Sequence, residues 1–141
     1  MALYALQSCV DNKSTFPDEA NVYYGTLTVG DYTEDMVGIS VTENLESTAV
    51  DIFFDDVKFA KAMPVRVDIT AKDVPCRREA EILHFSAENI DPYMNREEKP
   101  QRKYRFSEIS GTVIGNELVL SARMEDEGKG SFVFRGVCKA E

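Results

Sequence analysis

From residue 22 onward, apolar and polar positions alternate in short runs rich in β-branched and aromatic residues, with turn-forming clusters between them at fairly even intervals. This rhythm predicts antiparallel β-structure. Residues 22–29 make the first run, closed by Gly30-Asp31, and residues 36–42 the second, closed by Glu43-Asn44. Residues 48–54 put Val50, Ile52 and Phe54 on one face. Asp55-Asp56 is expected to end that third strand, because both residues disfavour strands and favour turns. Residues 56–62 fit neither period, and Pro64 blocks a helix there, so the segment is expected to cross irregularly. Val65, Val67 and Ile69 then alternate with Arg66, Asp68 and Thr70, the mark of a strand dry on one side and wet on the other. Residues 79–87 predict a fifth strand with apolar side chains on both faces at Ile82, Leu83 and Phe85.

Residues 88–101 are polar, contain Pro92 and Pro100 and carry four consecutive charges from Arg96 to Lys99, so they are expected to form the longest loop and no buried element. A hairpin follows, with arms at residues 103–113 and 117–124 around the turn at Gly115-Asn116, and residues 131–139 complete an eighth strand. Eight antiparallel strands with short connections hide their edges most economically by closing into an up-and-down barrel, the first strand pairing with the last. A two-sheet β-sandwich fits the same count and spacing.

The segments Tyr24-Gly25-Thr26-Leu27-Thr28-Val29, 54–59, Ala62-Met63-Pro64-Val65 and Asp73-Val74-Pro75 resemble, in this order, the calycin-like (lipocalin-like) β-barrel proteins of Bacteroides-type bacteria. Ile109-Ser110-Gly111-Thr112-Val113, Gly115-Asn116, Leu118-Val119-Leu120 and Phe132-Val133-Phe134-Arg135-Gly136 continue the resemblance, which spans residues 22–137. These are strand and turn signatures and bear on fold more than function. The resemblance implies an eight-stranded barrel, export to the cell envelope (periplasmic or lipid-anchored), and no established activity or cofactor. The chain departs from true lipocalins, since Gly25-Thr26-Leu27 stands where a Gly-x-Trp motif is expected and there is no Trp.

A length of 141 residues suits one domain, residues 22–141, behind an extension of residues 1–21. Acidic residues outnumber basic ones 25 to 16, and the net charge of -9 repels phosphate backbones, which argues against a nucleic-acid partner. No apolar run reaches the roughly 20 residues a membrane helix requires. Leu6-Gln7-Ser8-Cys9 is similar to the end of a bacterial lipoprotein signal, which makes Cys9 a candidate lipidation site. An ordinary first segment is the competing reading, and a chain complete as written would be cytoplasmic. Three cysteines and one histidine do not compose a zinc site. Cys76 and Cys138 stand either as a pair or as buried free thiols.

No nucleophile elbow, P-loop, dinucleotide fingerprint or His-Glu-x-x-His motif occurs, which argues against an enzyme and against a bound cofactor or metal. His84 is expected to be a strand histidine without a catalytic partner. Glu34-Asp35, Asp55-Asp56 and Glu125-Asp126-Glu127 are expected to be solvated turns. Two functional expectations remain. In the first, a small apolar ligand enters the barrel or its mouth, with Phe59, Met63, Tyr93 and Met94 as its rim, because soft and aromatic side chains on loops adapt to apolar molecules. In the second, the barrel is solid and its surface serves interaction or adhesion.

Overall fold

The computed structural model describes residues 20–30, 32–46, 48–58, 66–95, 97–124 and 131–138. Their strands are β1 (Asn21–Val29), β2 (Tyr32–Glu43), β3 (Ala49–Val57), β4 (Val67–Glu79), β5 (Ile82–Ile90), β6 (Tyr93–Met94), β7 (Phe106–Ile114), β8 (Glu117–Met124) and β9 (Ser131–Val137). All but β6 form a closed antiparallel ring in chain order, completed by β1 against β9. The expected up-and-down barrel is therefore the fold, and the sandwich is not. Among the described residues, no helix is long and apolar enough to cross a membrane.

Register decides which side chains fill the ring, because residues directly opposite each other share a face. Leu27, Phe134, Leu120 and Gly111 lie in one cross-strand row on the inside. The ring-closing seam places Gly25 opposite Gly136, where a Cβ on Gly25 would collide with the Arg135 carbonyl, so only glycine lets β1 and β9 approach this closely. Phe54, Phe106, Phe132 and Phe134 are fully buried in the lumen. The first three form a mutual cluster with ring centroids 5.9–6.1 Å apart. Burial of each ring contributes about 1.5–3 kcal/mol, and aromatic pairing adds to it.

Three strands run past their expected ends for identifiable reasons. β2 begins at Tyr32, so Glu34 and Asp35 lie in a strand, with Glu34 held by the Arg66 guanidinium. β3 continues to Val57 because Asp56 adopts φ 53° in a bulge, and its N–H donates to the Asp68 carboxylate at 2.9 Å. β4 passes Pro75 and reaches Glu79, with Asp73 at φ 57° and its N–H donating to Asp51 at 2.9 Å. In both bulges a cross-strand carboxylate satisfies the amide that the irregular backbone exposes.

The segment expected to be the longest loop is more structured than its polarity indicated. β5 extends to Ile90, and β6 lays Met94 opposite Ile69 with only 5% exposure. The cause lies in β4 and β5, which pair only from Cys76–Phe85 to Glu79–Ile82 and then part. β6 occupies β4 along the opened stretch, and Met94 fills the inner face there.

Candidate functional site

The barrel has two unlike ends. The strand ends at Val29, Val57, Ile90 and Met124 lie at one, and those at Glu43, Glu79 and Ile114 at the other, together with the start of β1 and the end of β9. The first end is stopped by the phenylalanine cluster together with Met94 and Met124, all buried.

At the second end four chemically distinct side chains take inward positions. Tyr23 stands opposite Ile39, Glu43 opposite Val50, Cys76 opposite Phe85 and Arg78 opposite Leu83, and each of these partners belongs to the core. Arg78 Nη2 contacts Glu43 Oε1 at 2.5 Å, while Glu43 Oε2 is occluded without a hydrogen-bond partner. Tyr23 is 3% exposed, and burial in this apolar wall pushes its phenol up to about 12, Arg78 opposing and Glu43 reinforcing the rise. Burial likewise raises the Cys76 thiol, reinforced by Glu43 and opposed by Arg78. A raised thiol is a poor nucleophile at neutral pH.

A hollow of about 420 Å³ opens at this end, lined by Asn21, Tyr23, Arg78, Glu81, Val113, Ile114 and Gly115. The Tyr23 hydroxyl finds no hydrogen-bond partner among the described residues. A second depression of about 460 Å³ lies where β4 and β5 part, with Arg77, His84, Ser86, Ser110 and Thr112 in its lining. His84 is on the outer wall opposite Arg77 and Thr112, its Nε2 3.7 Å from Glu79 Oε1.

Of the expected rim residues, Tyr93 and Met94 are described, and neither lines this mouth. Met94 is part of the core, whereas Tyr93, the next residue along the strand, faces outward with the Lys72 ammonium 4.3 Å from its ring centroid. Phe59, Met63 and Cys9 lie outside the described residues, as do Glu125, Asp126 and Glu127. Cys138 is disulfide-bonded and Cys76 is not, so of the two alternatives the pair between them does not form. Among the described residues, no group of three or more His, Cys, Asp or Glu side chains could hold a metal ion.

Sequence reasoning passed over Tyr23, Glu43 and Arg78. One signal was present, since Tyr23 shares the alternation of Gly25, Leu27 and Val29 and so falls on the inner face of the first strand. Nothing local pairs Glu43 with Arg78, which are 35 residues apart. Comparison with family models, curated proteins and solved structures gives no match to this chain.

Proposed function

We propose that the protein is a non-catalytic binding domain whose barrel is a solid scaffold and whose Tyr23 mouth takes one small ligand. The observation that supports this reading is the contrast between a lumen that holds four fully buried phenylalanines and a buried phenol with no described partner beside a 420 Å³ hollow. Buried polar groups are normally paired, so a donor left without a partner at the edge of a cavity is a place where a ligand can supply one. The apolar ligand expected from the sequence then rests on Val113 and Ile114 at the mouth, outside the packed interior. Export to the cell envelope, as the calycin-like resemblance implies, would place such a domain where small molecules are captured.

A second reading is an interaction module. It is favoured by Val133 and Val137, which are 43% and 45% exposed on the outer face of β9, and by Ile114 at 52%. Native mass spectrometry of the protein from its own host, compared with the denatured mass, separates the two. The ligand reading expects a released small molecule, and Tyr23→Phe is expected to diminish it. A bare polypeptide mass together with a self-associated or partner-bound species supports the interaction module.

A further inference from the structure

We propose that the Tyr23 mouth selects a neutral small molecule with a carbonyl-type hydrogen-bond acceptor on an apolar body, and discriminates against carboxylate and ammonium heads. This deepens the function proposed above and rests on the mouth being the binding site. Tyr23 is the buried polar side chain of the lining, and its hydroxyl has no described partner. The phenol keeps its proton far above neutral pH, so what the site presents to a ligand is a donor. A ligand atom that accepts from it replaces the hydrogen bond to water that burial weakened.

Charge then narrows the class. Arg78 is the cation in the lining, and Glu43 already neutralises it at 2.5 Å, while Glu81 adds a carboxylate at the rim. An anionic head would give up its hydration here without meeting an uncompensated cation. An ammonium head has no lone pair to offer the Tyr23 hydroxyl and leaves that donor unpaired. A neutral amide, ester or ketone avoids both costs. Val113 and Ile114 supply apolar contact for the rest of the molecule, within a volume typical of small-molecule pockets.

Four probes of one body and different heads test this: benzamide, benzoate, benzylammonium and toluene. Each is titrated into the isotope-labelled full chain while the backbone amide signals of Tyr23, Val113 and Gly115 are followed. Benzamide is expected to saturate these shifts at about tenfold lower concentration than the other three, the scale of one hydrogen bond at a desolvated site. In Tyr23→Phe, which keeps the ring and its packing, the advantage of benzamide over toluene should vanish. The ranking in the unaltered protein decides the ligand class even if that variant folds poorly. Benzoate, benzylammonium or toluene matching benzamide would overturn the class while leaving the mouth as the site. The absence of shifts with every probe, or shifts centred on Phe106 and Phe132, would overturn the site itself.

Discussion

The two ends of this barrel solve opposite problems with the same strands. At one, Phe54, Phe106 and Phe132 meet in stacked and edge-on contacts, and Met94 and Met124 close the remaining space. At the other, inward positions carry Tyr23, Glu43, Cys76 and Arg78, and a carboxylate oxygen and a phenol lack partners among the described residues. The first end spends its side chains on cohesion. The second keeps groups that cohesion alone does not require, which is the pattern expected where a protein trades stability for recognition.

That contrast is sharpest in the response to truncation. Phe106→Ala is expected to cost about 3–5 kcal/mol in urea unfolding, because it leaves a cavity inside a ring cluster that cannot collapse easily. Tyr23→Phe is expected to change stability by less than about 1 kcal/mol, since it deletes a hydroxyl with no described partner. A Tyr23→Phe loss as large as that of Phe106→Ala would make the mouth a structural element and end the contrast.

Alkaline titration gives the next largest effect. The Tyr23 phenol is raised in the folded state above its ordinary value of 10.0, so its contribution is fully present below pH 10 and is lost as pH rises towards 12. The shift corresponds to about 2–3 kcal/mol. Absorbance at the phenolate band should show one of the six tyrosines ionising well after ordinary ones, and Tyr23→Phe should remove that late step. If every tyrosine titrates near 10 while the chain is still folded, the phenol is not buried as described.

Asp51→Ala, which strips the acceptor from the Asp73 amide in the β4 bulge, is expected to cost about 1–2 kcal/mol without altering the mouth. The smallest effect lies among the connections of the closed end, where Arg105 grips Asp91 through two hydrogen bonds of 2.6 and 3.1 Å and holds its carboxyl below the usual range. A lowered carboxyl stabilises the fold above its unfolded value near 4 and loses that contribution as pH falls through the folded value. The effect is expected to be about 1 kcal/mol or less for a half-buried pair that solvent still screens. Arg105→Ala should flatten this acid dependence, and an unchanged acid limb of the stability profile would count against the pairing.

Much of the scaffold was legible because alternation is a local signal. Val50, Ile52 and Phe54, then Leu118 and Leu120, then Phe132 and Phe134 announce their inner faces within a few residues, and Gly115-Asn116 announces its hairpin. The strand ends were less legible, since acidic residues that normally stop a strand are here held in bulges by partners 12 and 22 residues away. Tyr93 and Met94 looked like neighbours on a loop, but strand pairing with β4 sends them to opposite faces. The mouth was least visible, because its residues come from β1, β2, β4 and β7 and meet only once the ring has closed.

Binding at the Tyr23 mouth requires a lumen that is full and a mouth that is open. A crystal structure determined under xenon pressure tests this most directly, since xenon occupies dry apolar cavities that polar clefts do not offer. The expected result is no xenon among Phe54, Phe106 and Phe132, with any bound atom lying against Val113 and Ile114. Xenon ordered among the three phenylalanines would reveal an interior cavity and return the binding site to the lumen.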